Sequence, residues 1–180
     1  MKKQSIQFIL GAALIFAQLP SFAQQHTGLL DSLMFSTEKQ HSSLSIKGHS
    51  HNDYEQKIPF FTAYYAGMES IEADVFLRDG ILYVAHDARD IQQDRTLSSL
   101  YIEPIVKIMK QQKGQLFTDM SKRMQLMIDI KEDHRTVLAA LNKLLAQYPE
   151  QFDPQLNPAA VRIVISGDRP EPARVRIAFN

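Results

Sequence analysis

Two carboxylates stand two residues apart in Ser70-Ile71-Glu72-Ala73-Asp74-Val75-Phe76-Leu77, a stretch that otherwise reads as a buried strand. Strand side chains alternate, so Glu72 and Asp74 share one face while Ile71, Ala73 and Val75 take the other. Two like charges on an inward face cost on the order of several kcal/mol unless something cationic lies between them. A divalent metal would relieve that cost. Asp129 repeats the pattern inside Met127-Ile128-Asp129-Ile130, in a strand expected to neighbour the first. Three acids from adjacent strands, in a chain with no Cys, describe a site for a hard cation, Ca²⁺ or Mg²⁺. Asn52 offers a neutral oxygen ligand from the loop after an earlier strand. Lys131 shares a face with Asp129, so ion pairing is the competing reading of that acid.

His51 and His86 are the candidate acid and base. Imidazoles flanking a metal can take a proton from a hydroxyl nucleophile and return one to a leaving alkoxide, while the metal polarises phosphoryl oxygens. His26 and His41 lie in a polar stretch and read as solvated; His134 follows Asp133 at a helix start and reads as surface. A rival chemistry uses His49-Ser50-His51, a His-x-His spacing that presents two imidazoles to Zn²⁺. It needs further His ligands from later strands, and those strands offer carboxylates instead.

The elements that must position these groups follow from periodicity and punctuation. Leu44 to Gly48 reads as a short strand, and Pro59 opens a helix carrying Phe60, Phe61, Tyr64 and Tyr65. The strand Glu69 to Leu77 follows. Arg78-Asp79-Gly80 is too short for a parallel crossover, so Ile81 to His86 is expected to fold back as an antiparallel hairpin. A three-residue loop would set His86 opposite Glu72, on the carboxylates' face; a two-residue loop would turn it away. The three-residue register is favoured because it explains a His in an apolar strand. Pro104 opens a helix to about Gln112, Gln125 to Lys131 is a strand, and Asp133 can cap a helix over 134–148. Val161 to Ser166 and Val175 to Phe179 read as two more strands. Strand–helix alternation means an α/β fold with parallel strands. The polar residues His51, Asp74, Asp129 and Ser166 sit at strand C-terminal ends, where a (β/α)8 TIM-type barrel keeps its chemistry. Such barrels take about 250 residues, so the 180-residue chain is expected to lack the last part of one.

At the start, Met1-Lys2-Lys3 is followed by a twelve-residue apolar run, Ile6 to Ala17, and by Ser21-Phe22-Ala23. This reads as a signal peptide of residues 1–23, too short for a membrane span. Residues 24–43 form a polar lead and 44–180 the N-terminal part of the barrel. The chain is balanced at 20 basic and 20 acidic residues; losing Lys2 and Lys3 with the signal leaves −2, which gives no reason to expect a nucleic-acid partner. A leader and no Cys predict an exported protein of a bacterial periplasm or medium, without a stable membrane span after cleavage.

The motifs together resemble the PLC-like phosphodiesterase superfamily, which includes glycerophosphodiester phosphodiesterases and phosphoinositide-specific phospholipases C. They are most similar to the group named for altered inheritance of mitochondria protein six. The resemblance rests on His49-Ser50-His51-Asn52-Asp53-Tyr54, Ser70-Ile71-Glu72-Ala73-Asp74-Val75, Asp79-Gly80 with Val84-Ala85-His86-Asp87, Leu100-Tyr101-Ile102-Glu103-Pro104-Ile105, and Ile165-Ser166-Gly167-Asp168-Arg169-Pro170. It covers about 46–170. It implies a metal-dependent phosphoric diester hydrolase with His51 and His86 as acid/base pair and Asn52, Glu72, Asp74 and Asp129 as metal ligands. Lys131 matches a lysine that stabilises phosphate charge. The third-strand acid is often Glu in that superfamily, and here it is Asp129. The implied substrates are small phosphodiesters, lysolipids or phospholipid headgroups. A secreted, non-catalytic relative that keeps the shell of the site is the remaining alternative.

Overall fold

The computed structural model describes residues 46–171. The expected signal, polar lead and terminal strand Val175 to Phe179 lie outside the described residues. Strand β1 (Ile46–Ser50) leads through a 3-10 turn (Asp53–Glu55) into the short helix α1 (Phe61–Tyr65). Strands β2 (Met68–Arg78) and β3 (Ile81–Val84) form a hairpin. A π-type turn (Ser98–Ile102) runs into α2 (Glu103–Gln111), followed by β4 (Gln125–Ile130), α3 (His134–Leu145), α4 (Pro149–Phe152) and β5 (Arg162–Gly167).

The sheet order is β1-β2-β4-β5, all parallel, with β3 antiparallel on β2. This is the expected α/β class. The described strands form an open sheet rather than a closed barrel. Ile71 pairs with both Ser50 and Leu126, and Val75 with both Val84 and Ile130. Hence β1 and β3 lie end to end along one edge of β2, with β4 along the other. The break between β1 and β3 falls at Glu72 to Asp74, so the chain leaving β1 and the chain leaving β3 both arrive at the acids.

Alternation divides the sheet cleanly. Ile71, Ala73 and Val75 of β2 and Leu126, Ile128 and Ile130 of β4 are buried in one cluster with Ile105, Ile108 and Met109 of α2 and Val137, Leu141 and Leu145 of α3. Each large aliphatic side chain there contributes roughly 1.5–3 kcal/mol by leaving water. The helices present matching apolar stripes at three- and four-residue spacing. The opposite face carries rows set by register: Ser70 beside Gln125 and Arg162, Glu72 beside Met127 and Val164, Asp74 beside Asp129 and Ser166.

Two local expectations are corrected. The hairpin pairs Arg78 with Ile81, so its loop has two residues. Asp79 and Gly80 both take positive φ (50° and 80°), the combination that fits the twist of two strands. Asp133 does not cap α3 with its side chain: it is left-handed (φ 43°) and its carboxylate accepts from the Thr136 hydroxyl. The His134 amide donates instead to Asp168, 3.0 Å away in the loop after β5. His134 is therefore half-buried and held, its ring also 3.0 Å from Asp168.

Candidate active site

His49 belongs to β1, one residue beyond the expected strand, and lies opposite Ser70. Its ring is held at both nitrogens, Nε2 3.0 Å from Glu72 Oε2 and Nδ1 2.8 Å from Ser70 Oγ. A carboxylate only accepts, so Nε2 carries the proton and Nδ1 of the neutral ring accepts from the Ser70 hydroxyl. Gln125 Nε2 donates in turn to Ser70 Oγ at 3.3 Å. His51 is different: its side chain is 72% exposed and its Nε2 stands 3.8 Å from Glu72. The two rings are 6.5 Å apart. A Zn²⁺ site on His49 and His51 would have to displace one of the bonds that pin His49.

Asp74 is the hub on the other side of the gap. It is 0% exposed, and its Oδ2 accepts from Lys131 Nζ and Tyr54 OH, each at 2.7 Å. His86 Nδ1 lies 3.3 Å from the same oxygen and 3.2 Å from the Tyr54 hydroxyl. Tyr54 has one proton and gives it to Asp74, so its oxygen accepts from His86 Nδ1–H. In the neutral ring with Nδ1–H so placed, Nε2 is the acceptor, on a side chain 57% exposed. Burial, then the Asp74 hydrogen bond, pushes the Tyr54 phenol far above its usual pKa, so it stays protonated. The two-residue hairpin loop would have turned His86 away had the strand continued. The strand stops at Val84, and the Ala85 amide donates to the Asp74 carbonyl at 3.3 Å, which swings His86 onto the acid's side.

Lys131 also reaches Asp129 Oδ1 at 3.0 Å, and Ser166 donates to Asp129 Oδ2 at 2.9 Å. Burial alone pushes the Lys131 ammonium down; the hydrogen bonds to Asp74 and Asp129 outweigh it and leave its pKa raised. The end of β5 approaches this pair closely: a Cβ on Gly167 (φ 69°) would sit 2.3 Å from the Ile130 carbonyl oxygen and 2.8 Å from Asp129 Oδ1. Only glycine fits there.

The donor set suits a hard cation in part. All donors are oxygen or imidazole, and Asp74 Oδ1 is buried with no hydrogen-bond partner, a charged oxygen left free. Glu72 lies on the same face. Among the described residues, however, no three of His, Asp and Glu are gathered into a metal-binding group, and Lys131 fills the space between Asp74 and Asp129. Asn52 holds a left-handed backbone (φ 47°) directly beside His51.

The structure thus draws His51, His86, Glu72, Asp74, Asp129 and Lys131 to one end of one face. Ser166, expected at a strand C-terminal end beside Asp74 and Asp129, joins them through its bond to Asp129, and Tyr54 and Ser70 join without a sequence signal that assigns them a role. Tyr54 closes the motif His49-Ser50-His51-Asn52-Asp53-Tyr54, but a hydroxyl's partner is a tertiary fact. Ser70 shares the face of Glu72 by the same two-residue alternation and was legible on that ground.

A model of the AIM6-like phosphodiesterase domain matches residues 37–170. The chain is 38% identical over 117 residues to an altered inheritance of mitochondria protein 6 homolog of Arthroderma benhamiae, covering 55% of this chain and 37% of that protein. It is 30% identical over 129 residues to altered inheritance of mitochondria protein 6 of Kluyveromyces lactis, covering 58% and 30%. A third relative, from Eremothecium gossypii, is 38% identical over 65 residues, covering 35% and 17%. The chain spans roughly a third or less of the length of these curated relatives. No solved structure matches. The relatives are fungal, which overturns the expectation of a bacterial periplasmic or secreted protein drawn from the apolar leader and absent Cys. Among the described residues no helix is long and apolar enough to cross a membrane. With its match running through every strand described and through both acid-bearing ones, the chain belongs to the AIM6-like phosphodiesterase domain family.

Proposed function

We propose that the chain carries the site of a metal-dependent phosphoric diester hydrolase, on a sheet that forms the N-terminal part of a TIM-type barrel. The observation that carries this is the gap in the β2 edge, where two separate chain segments deliver His51 and His86 to a pair of acids. The family's phosphodiesterase designation supports the same reading. Glu72, Asp74 and Asn52 would hold a Ca²⁺ or Mg²⁺ ion, with Asp129 joining them where Lys131 gives up its place between the two aspartates, and that ion when bound would supply a Lewis acid for the phosphoryl oxygens.

The rest of the work falls to the chain's own groups. His86, with Nδ1–H held by Tyr54 and Asp74, accepts a proton at Nε2 from the attacking hydroxyl, and Asp74 stabilises the imidazolium that results. His51, unpinned and exposed, gives a proton to the leaving oxygen. His49 is fully engaged and holds Glu72 in place. The Lys131 ammonium lies on the same face, where it offsets negative charge developing on the phosphoryl group. Substrates of this site are small phosphodiesters or lipid headgroups carrying one.

The test is hydrolysis of bis-(p-nitrophenyl) phosphate by the purified full chain before and after chelation with EDTA. Activity lost on chelation and restored by Ca²⁺ or Mg²⁺ is the expected result. Hydrolysis indifferent to EDTA, or none with either ion added, overturns the proposal.

A further inference from the structure

We infer that Asp53 is a positioning residue of this site, holding the loop that carries His51, Asn52 and Tyr54 in the shape the chemistry needs. The inference rests on the function proposed above. Asp53 is fully buried, yet it forms no ion pair with Lys, Arg or His among the described residues; its carboxylate accepts from three separate parts of the chain instead. Ser50 Oγ, at the end of β1, donates to Oδ1 at 2.7 Å. The Phe60 amide donates to Oδ2 at 2.6 Å, and the Tyr101 hydroxyl, in the turn before α2, donates to Oδ2 at 3.1 Å.

The loop so held follows an unusual path. Asn52 is left-handed, and Phe60 adopts φ 64°, ψ −58° with the Phe61 amide 2.7 Å from the Pro59 carbonyl. That is a γ-turn of the rare, strained hand, in a bulky residue that has no reason to prefer it. Such geometry persists only where the surroundings over-determine it. Here the Phe60 ring is fully buried and stacked on Tyr64 at 5.5 Å, and its amide is clamped by Asp53. From the other side, the Arg95 guanidinium donates to the Tyr54 carbonyl. The clamped residues immediately flank the two that face Glu72 and Asp74. Asp53 touches none of the reacting groups itself; it acts through the loop.

Asp53→Ala in the full chain removes all three bonds, and Tyr101→Phe removes one from a distance while keeping the ring in the core. Expected for Asp53→Ala is a fall in kcat of about 10²-fold, the cost of a small misplacement of catalytic groups, with KM nearly unchanged. Tyr101→Phe should lower kcat by a smaller factor. In nuclear magnetic resonance spectra, the His51 ring and Asn52 amide signals should move while those of α3 stay, and the Phe60 amide should exchange faster with solvent. A folded Asp53→Ala protein with wild-type kcat overturns the inference. If that variant does not fold, Tyr101→Phe decides: a lowered kcat with shifted His51 signals supports positioning, and wild-type values of both refute it. Should the wild-type chain hydrolyse no diester, the proposed function falls and the spectra alone judge whether Asp53 holds the loop: shifted His51 and Asn52 signals support that part of the inference, and unmoved ones end it.

Discussion

Strands β2 and β4 present two faces built from alternate residues of the same ten or so positions, and the two could hardly differ more. On one, Ile71, Ala73, Val75, Leu126, Ile128 and Ile130 are sealed under α2 and α3. On the other, Glu72, Asp74 and Asp129 meet Lys131, His49, His86 and Tyr54 through hydrogen bonds and ion pairs, with one carboxylate oxygen left unpartnered. The first face lowers the free energy of the fold. The second raises it: acids have been gathered where apolar side chains would pack at no electrostatic cost. A sheet that tolerates this on one face only, and at one end of it, has its stability and its chemistry on opposite sides of the same backbone.

The contrast can be broken from either side. Ile128→Ala should cost the most stability, about 2–5 kcal/mol, because the residue is fully buried between sheet and helices; urea denaturation measures it, and a loss under about 1 kcal/mol would mean the helical face is not the core. Lys131→Met should come next. It leaves Asp74 and Asp129 facing each other without a cation, a loss of roughly 2–4 kcal/mol given that the pair is only partly shielded from water. Its folded-state pKa is raised, so the stabilisation is fully present below the unfolded lysine value and is lost as pH rises through the folded one. The gap between wild type and Lys131→Met should therefore hold across neutral pH and close only in alkali, and added Ca²⁺ or Mg²⁺ should narrow it at neutral pH if the acids take a cation.

The smallest effect is expected outside both faces. Asp168 accepts the His134 backbone amide and then its ring, and these bonds hold its carboxyl below the usual range. A depressed carboxyl contributes above the unfolded aspartate pKa and ceases to as pH falls through the folded value. Asp168→Asn should thus lower the melting temperature slightly at neutral pH and not at all in strong acid. An equal drop at both ends of the pH range would show that charge on Asp168 is not what caps α3.

How much of this was legible depended on how local each determinant is. The shared face of Glu72 and Asp74 follows from strand alternation alone, and the Lys131–Asp129 pair from two-residue spacing. The hairpin loop length turns on a single residue, and Asp79-Gly80, a pair that favours two-residue loops, outweighs the pull of a His in an apolar strand toward the three-residue register. His86 reaches Asp74 anyway because the chain leaves the ladder after Val84. The cap of α3 comes from Asp168, 34 residues away, beyond any local rule. Likewise the different settings of His49 and His51 come from where β1 ends: two residues more of strand than expected put His49 into the ladder beside Ser70 and leave His51 beyond it, largely exposed.

The proposed role of His86, held by Tyr54 and Asp74, is to move a proton in metal-assisted diester cleavage. Its most direct test is kcat for bis-(p-nitrophenyl) phosphate with Mg²⁺ or Ca²⁺ present, wild type against His86→Ala. The side chain is mostly exposed, so folding should be untouched while kcat falls by about 10²–10⁴-fold. A folded His86→Ala protein that cleaves the diester at the wild-type rate would contradict it.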